Sequence, residues 1–272
     1  MRFFSTSDGV KLAYRDEGKG PPLLCLSGLT RNSSDFDFVA PHLAGHRLIR
    51  LDYRGRGASQ WADPATYTIA REAADVLELL DFLRLDAVTV LGTSRGGLIA
   101  MTLAASAHDR LKGVILNDIG PEIDPAGLAL IDSYLGRPPP YKTYDAAAVA
   151  RQKMPGFYGV PQTRWQQEVR NLFTETADGL GLNYDPALRM VFTGQSNQPL
   201  PDLWPLFAAL EGVPLALIRG ENSNILSPET AGTMRRQRPD MIFAQVPDRG
   251  HVPFLDESES LHAINVLLET IQ

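Results

Sequence analysis

The sequence predicts an α/β fold, in which a helical segment interrupts a mostly parallel, doubly wound sheet. Three observations lead to this prediction. Short apolar runs alternate with amphipathic helical patterns up to about Pro121 and again from about Val213, as in βαβ units. Proline-rich breaks and helix-like pieces fill residues 121–212. A serine in the spacing Gly92-x-Ser94-x-Gly96 stands between a strand pattern and a helix pattern.

Length and composition indicate a soluble globular protein with a large core. The chain has 272 residues, of which 44% are hydrophobic. Charged residues make up 21% and the net charge is -6, which argues against a nucleic-acid partner. We find no signal-peptide pattern and no apolar run of about 20 residues, so we expect a cytoplasmic protein without a membrane partner, either a monomer or a homodimer. The single cysteine, Cys25, lies in an apolar run and is expected to be buried and inert.

The first elements are a hairpin and two buried strands. Asp8-Gly9 provides the positive φ angles of a tight turn between strands over residues 2–7 and 10–15. Residues 23–26 and 48–51 are short apolar runs that end in polar, glycine-rich loops. These loops are expected at one edge of the sheet.

Regular alternation of helix and strand follows. Apolar residues recur at helical spacing over residues 69–83, which predicts an amphipathic helix that covers the sheet. A strand over 88–91, a helix over 96–107 and a strand over 114–116 come next.

The inserted segment divides the chain into two predicted units. Residues 1–120 and 213–272 form the α/β core, and residues 121–212 form a helical cap, or lid, over the carboxyl ends of the strands. Helix-like pieces in the cap lie near residues 126–134, 145–154, 162–176 and 202–210. The core resumes with a strand over 215–218, a helix over 229–236, a strand over 241–246 and a final helix over 258–271.

Ser94 requires a base if it acts as a nucleophile, because a free hydroxyl is protonated at neutral pH. Of the five histidines, four lie in helical stretches or at helix ends. His251 instead follows a glycine in the loop after the last strand, so it emerges at the same sheet edge as Ser94. We therefore predict His251 as the base.

With these parts in order, the chain resembles the α/β-hydrolases over nearly its whole length. The motifs that carry the resemblance are Ser27-Gly28-Leu29, Asp52-x-Arg54-Gly55-x-Gly57-x-Ser59, Gly92-x-Ser94-x-Gly96 and Gly250-His251-x-Pro253-Phe254. The resemblance implies Ser94 as nucleophile, His251 as base and then acid, and the backbone N–H groups of Leu29 and Arg95 as the oxyanion hole. It implies neither a metal nor an organic cofactor.

The third member of the triad is ambiguous. In the family the acid usually follows the strand after the cap, and the matching position here is Asn224. The asparagine is interpreted in three ways: as an engineered change that impairs turnover, as natural with another carboxylate in its place, or as the mark of a non-catalytic binding protein. Asp118 is the best replacement because it ends the preceding strand at the same edge, although a turn or N-cap role also suits it. Glu221 is a weaker candidate.

The expected partner is a small-molecule substrate. Arg31 and Trp204 are the candidates to contact it, Arg31 because a guanidinium close to the site is able to bind a carboxylate and Trp204 as part of the pocket lining. The alternative, which we favour, is a solvated or salt-bridged Arg31 and an ordinary packing role for Trp204. The predicted reaction is hydrolysis of a small carboxylic ester or lactone through an acyl-serine. The alternatives are carbon-carbon hydrolysis of a ring-cleavage-type oxo-dienoate and ligand binding without turnover.

Overall fold

A central eight-stranded sheet organises the structure, a computed structural model that describes residues 1–190 and 201–271. The strands, numbered in chain order and including a separate hairpin formed by the seventh and eighth, are β1 (Arg2–Ser5), β2 (Lys11–Glu17), β3 (Pro22–Leu26), β4 (Arg47–Leu51), β5 (Val88–Thr93), β6 (Leu111–Asn117), β7 (Phe173–Thr176), β8 (Gly179–Leu182), β9 (Leu215–Gly220) and β10 (Ile242–Val246). Five of them, β3, β4, β5, β6 and β9, are buried almost throughout, as expected for strands covered on both faces.

The strand order in the sheet is β1-β2-β4-β3-β5-β6-β9-β10. β2 pairs antiparallel with β1 and β4, and the remaining neighbours are parallel. The predicted mostly parallel α/β fold is therefore confirmed. The loops that follow β3, β4, β5, β6, β9 and β10 all leave the sheet at one edge, because parallel strands share their direction.

Helices cover both faces of the sheet. In the described ranges they are α1 (Ile69–Phe82), α2 (Arg95–Ser106), α3 (Pro125–Tyr134), α4 (Tyr144–Arg151), α5 (Gln162–Leu172), α6 (Trp204–Ala208), α7 (Pro228–Gln237) and α8 (Ser258–Thr270). The Thr68 side chain caps α1 by accepting from the Arg71 N–H, and Ser227 caps α7 in the same way. Within these ranges no helix has the length and apolar character needed to cross a bilayer.

Two apolar layers hold the sheet between the helices. The larger one packs α1, α2 and α7 on one face, and the other packs α8 on the opposite face, with Ile264 and Leu267 at its centre. Cys25 belongs to the second layer, and burial raises the pKa of its thiol to about 12. The structure thus places this cysteine where the sequence predicted it, inside the core.

The inserted segment, residues 121–212, contains more than helices. A small core of its own is built on Trp165, Phe157 and Val169. The predicted helix over 162–176 ends at Leu172, and the chain continues into the β7–β8 hairpin, which was not predicted. Threonines 174 and 176 favour the strand, and Gly179, at φ +127°, permits the turn. Residues 191–200 of the predicted cap lie outside the described residues.

The inserted segment lies against the edge of the sheet at which the parallel strands end. The N–H of Gly57 donates to the carbonyl of Asn183 at 3.1 Å, and the N–H of Asp185 donates to the carbonyl of Gly55 at 2.8 Å. On the far side, the N–H of Tyr158 donates to the carbonyl of Asp248 at 3.2 Å. The segment therefore contacts the loops after β4 and after β10, which lie on opposite sides of the β5 end.

Candidate active site

Ser94 lies in a strained turn between β5 and α2. Its backbone has φ 50° and ψ -112°, a conformation that L-residues rarely adopt. The glycines on either side are required by contact: a Cβ on Gly92 would lie 2.6 Å from the Gly96 carbonyl carbon, and a Cβ on Gly96 would lie 2.1 Å from the Leu26 carbonyl oxygen. The Gly-x-Ser-x-Gly spacing thus reflects close backbone packing that presents the hydroxyl at the sheet edge.

His251 meets this hydroxyl. Its Nε2 atom is 3.0 Å from the Ser94 Oγ, within hydrogen-bonding distance. The histidine emerges from the loop after β10, at the same edge as the elbow, and its side chain is largely buried. The structure therefore brings together the serine and the histidine selected from the sequence.

Asp118 faces the other nitrogen of the imidazole. Its Oδ2 is 2.7 Å from His251 Nδ1, and its side chain is fully buried at the end of β6. The same carboxylate accepts from the Gly220 N–H at 2.8 Å and from the Ser223 hydroxyl at 2.6 Å. A carboxylate that accepts at Nδ1 holds the ring proton there and leaves Nε2 free to accept from Ser94.

Asn224 does not take the place predicted for the acid. The residue is exposed, and its backbone carbonyl lies against Gly127 of α3. A Cβ added to Gly127 would be only 2.3 Å from the Asn224 carbonyl oxygen. β6 and β9 are adjacent in the sheet, with Asn117 paired to Ile218, so a carboxylate at the end of either strand reaches the same edge. Here the loop after β9 contributes the Ser223 hydroxyl to Asp118 instead of an acid. Ser223 was not identified from the sequence, where it is an ordinary turn residue.

The backbone N–H groups of Leu29 and Arg95 lie beside the serine. Arg95 is the first residue of α2, so its N–H has no partner within the helix. In the described part of the chain, neither N–H donates to a protein acceptor. Gly28 brings the Leu29 loop close, because a Cβ at that position would lie 3.9 Å from the Ser94 Cβ. Both donors are therefore available to a ligand oxygen at Ser94.

The sequence comparisons agree with this architecture. Residues 21–258 match the family model for the α/β-hydrolase fold, which is most of the chain. The chain belongs to the α/β-hydrolase family. The hydrolase is 34% identical, over 265 residues, to a 3-hydroxybutyrate-oligomer hydrolase of Cupriavidus necator, covering 92% of this chain and 90% of that protein.

Two further relatives extend the comparison. The hydrolase superimposes on the crystal structure of an α/β-hydrolase from Novosphingobium aromaticivorans with a TM-score of 0.91 and 39% identity, covering 98% of this chain and 97% of the other. It is also 28% identical over 265 residues to an N-formylmaleamate deformylase of Pseudomonas putida, covering 95% of this chain and 92% of that protein. The names of these relatives differ in the bond that is cleaved, while the fold is shared.

The side chain of Arg95 is part of a buried ion network beneath the elbow of the hydrolase. Its Nε donates to Glu72 at 2.5 Å, and Nη1 of Arg56 donates to the same carboxylate at 2.7 Å. Burial alone would raise the pKa of Glu72, but the charges of Arg56 and Arg95 lower it below its usual value. The Arg95 guanidinium is thus occupied, and only its backbone N–H is available at the site.

Arg31, predicted to bind substrate, is likewise paired. Its guanidinium lies 2.6 Å from Asp35 and 2.8 Å from Glu168, which projects from α5 of the inserted segment. Burial alone would lower the pKa of Arg31, but the two carboxylates raise it. Arg31 therefore joins the inserted segment to the core. Its guanidinium is paired with two carboxylates of the protein itself, and not with a carboxylate of a substrate.

Trp204, the other residue predicted to bind substrate, makes contacts within the protein. Its indole N–H donates to Glu122 at 2.7 Å, and its ring packs edge to face on Phe207 with 5.8 Å between ring centroids. It also packs against the larger apolar layer of the sheet. These contacts fit the packing role that the sequence had left open for this tryptophan. Within residues 1–190 and 201–271, no cluster of three His, Cys, Asp or Glu side chains is arranged to hold a metal ion.

Proposed function

We propose that this hydrolase cleaves a carboxylic ester of a small molecule through an acyl-serine intermediate. The observation that carries the proposal is the chain of hydrogen bonds from Ser94 Oγ to His251 Nε2, at 3.0 Å, and from His251 Nδ1 to Asp118, at 2.7 Å. Ser94 is the nucleophile, His251 the base and then the acid, and Asp118 the carboxylate that orients the ring.

In the first step the Ser94 oxygen attacks the ester carbonyl carbon, and its proton passes to His251 Nε2. The carbonyl oxygen becomes an oxyanion that accepts from the N–H groups of Leu29 and Arg95. The imidazolium then gives its proton to the leaving alcohol as the carbon–oxygen bond breaks. Asp118, which stays ionised, stabilises the imidazolium during this step.

In the second step water replaces the alcohol. His251 Nε2 takes a proton from the water as its oxygen attacks the acyl carbon, and the same proton then returns to Ser94 Oγ as the acid product leaves. The oxyanion forms and collapses again between the same two N–H groups. Because Arg95 begins α2, the positive end of the helix dipole also favours this negative charge.

One of the relatives supports an ester as the scissile group. An oligomer of 3-hydroxybutyrate is joined by ester bonds, and the relative of that name aligns with nearly the whole chain. We also propose that residues 121–212 act as a cap over the site. The contacts of this segment with the loops after β4 and β10 support that role.

The two alternatives to an ester hydrolase are a carbon-carbon hydrolase and a protein that binds a ligand without turnover. A carbon-carbon hydrolase would use Ser94 and His251, whereas a binding protein would need no functional triad. The carboxylate of Asp118 at His251 removes the reason for expecting an impaired triad from Asn224. That contact argues against a binding protein without turnover. The 3-hydroxybutyrate-oligomer hydrolase among the relatives favours an ester over a carbon-carbon bond.

Covalent labelling tests the nucleophile, and a substrate panel tests the reaction. We expect a fluorophosphonate probe to label the protein once per chain and Ser94→Ala to abolish the labelling. Ser106→Ala, a change of an exposed serine at the end of α2, is the matched control and should label normally. Short p-nitrophenyl esters and lactones would then be assayed. Labelling without hydrolysis of any ester or lactone would contradict the proposed reaction while leaving the nucleophile in place.

A further inference from the structure

A group of four charged side chains connects the inserted segment to the loop after β3. We call it the charged cluster: Arg31, Asp35, Arg151 and Glu168. Arg31 brings the cluster close to the serine, because both residues adjoin Gly28. A Cβ added to Gly28 would lie 3.3 Å from the Arg31 Cγ and 3.9 Å from the Ser94 Cβ. The cluster therefore begins next to the nucleophile and extends into the inserted segment.

Within the charged cluster, both acids form ion pairs with Arg31 and neither forms one with Arg151. Asp35 and Glu168 both turn their oxygens toward Arg31, at 2.6 and 2.8 Å. Arg151, in the last turn of α4, instead donates from Nη1 to the sulfur of Met154 at 3.1 Å, a weak acceptor. No carboxylate in residues 1–190 or 201–271 lies within ion-pairing distance of Arg151. Arg151 thus has a guanidinium with unused donors.

Arg151 is half-buried, next to the exposed Tyr134. Burial lowers the pKa of its guanidinium, and the nearby charge of Arg31 lowers it further. Tyr134, at the end of α3, is close enough to feel the charges of both arginines, and burial raises the pKa of its hydroxyl. Yet 47% of the Tyr134 surface is exposed. Tyr134 and the half-buried Arg151 are therefore both accessible to a ligand from solvent.

A partly desolvated guanidinium without a carboxylate partner of its own is unfavourable, because its charge has lost water and the nearby Glu168 is already paired with Arg31. The position at a helix C-terminus offsets only a small part of this cost. A carboxylate satisfies a guanidinium best, since its two oxygens match the planar fork of N–H donors. Tyr134 would add a neutral O–H donor at the same place.

We propose that Arg151 binds a carboxylate of the substrate, so that the ester turned over at Ser94 carries a free carboxylate at its far end. The inference rests on the proposed ester hydrolysis for the identity of the substrate, whereas the carboxylate subsite itself stands on the charged cluster. Arg31 is not the anchor, because the protein already neutralises it twice.

Binding without turnover tests the subsite separately from the reaction. In the Ser94→Ala background, calorimetry would compare monoethyl glutarate, which carries one carboxylate, with diethyl glutarate, which carries none. We expect Arg151→Met to weaken the binding of the monoester relative to the diester by about 10- to 100-fold, the range for a hydrogen bond to a charged group. Arg151→Lys should restore part of that loss, because it keeps the charge but not the fork.

Lys153→Met is the matched control, since it removes an exposed positive charge two residues further along the chain. This variant should leave the ratio of the two affinities unchanged. Equal weakening of both ligands by Arg151→Met, or an equal effect of Lys153→Met, would overturn the subsite. Binding of the monoester that depends on Arg151 in a protein that hydrolyses no ester would support the subsite and contradict only the proposed reaction.

Discussion

Asp118 and His251 are 133 residues apart in the chain, yet the carboxylate Oδ2 of one lies 2.7 Å from Nδ1 of the other. The sheet produces this proximity. β9 pairs with both β6 and β10, so the ends of three adjacent parallel strands bring Asp118, the Ser223 loop and the His251 loop to one edge. The carboxylate is fully buried and accepts two further hydrogen bonds, one from the last residue of β9 and one from Ser223 in the loop that follows, which fix its orientation.

The first prediction concerns the role of Asp118. Asp118→Asn keeps the size of the side chain but offers a donor as well as an acceptor to Nδ1, so the imidazole loses its preferred tautomer and its counter-charge. In a serine-protease triad the same change lowers kcat by about 10⁴-fold, and we expect a loss of similar order for ester hydrolysis here. Steady-state kinetics would measure kcat, and circular dichroism would show that the fold is intact.

Asn224→Asp is the matched control for that experiment. It places a carboxylate at the exposed position where the sequence pattern of the family would have it. We expect kcat to change less than about twofold, since surface substitutions have small effects. A large gain in activity from Asn224→Asp, together with a mild effect of Asp118→Asn, would assign the acid to the loop after β9.

These two residues show which parts of the site were predictable from sequence. The elbow is local: the strand, Ser94, its glycines and α2 are consecutive, so one short motif specifies them. The identity of the acid depends on which strands are neighbours. Because β6 and β9 end side by side, the sequence alone left both Asn224 and Asp118 open.

The ion-pair partners of the arginines near the site were also not predictable from the sequence. Arg31 and Arg95 flank the site in the chain, yet each is paired with buried carboxylates, Arg31 through a helix more than a hundred residues away. Arg151 has no motif around it and was not singled out. That it has no carboxylate partner in residues 1–190 and 201–271 becomes visible only in the folded structure.

The second prediction concerns Glu72, which is fully buried between two arginines. Glu72→Gln leaves Arg56, also fully buried, without its counter-charge, and removal of one partner from a buried ion pair costs about 3 to 5 kcal/mol. We expect a loss of that order in the free energy of unfolding, measured by urea denaturation at neutral pH. Glu229→Gln, an exposed change on α7, should cost less than about 0.5 kcal/mol.

This cost should also depend on pH. The folded-state pKa of Glu72 lies below its ordinary value of 4.5, so its contribution is fully present above that value and is lost as the pH falls through the lowered one. The difference in stability between wild type and Glu72→Gln should therefore shrink in acid. A difference that stays constant or grows below about pH 4 would contradict the assignment of the charge to Glu72.

The third prediction concerns Cys25. With the pKa raised to about 12 by burial, the native protein holds almost no thiolate at neutral pH, and the sulfur is shielded from reagents. We expect a colorimetric thiol reagent to leave the folded protein unmodified at about pH 8 and to react once per chain in denaturing urea. Rapid reaction with an unchanged circular dichroism spectrum would show that the strand β3 is accessible in the native state.

The fourth prediction concerns the junction between the core and the inserted segment. The Tyr67 hydroxyl donates to Asp185 at 2.6 Å and accepts from the Ala62 N–H at 2.9 Å. Burial, together with the hydrogen bond to Asp185, raises the pKa of Tyr67 to about 12, so the hydroxyl remains a donor at neutral pH. Asp185 in turn donates its backbone N–H to Gly55, which ties residues 183–185 to the loop after β4.

Tyr67→Phe should loosen this junction without disturbing the sheet. The phenylalanine fills the same buried volume, but Asp185 loses a partner, and a hydrogen bond to a charged group is worth about 1.5 to 3 kcal/mol. We expect backbone amides of residues 183–185 to exchange with deuterium about tenfold faster or more, while those of β5 and β6 stay protected. Tyr158→Phe, a change of a tyrosine that is 57% exposed, should leave the exchange unchanged. Equal acceleration in the central strands would mean that Tyr67 stabilises the whole fold and not this junction.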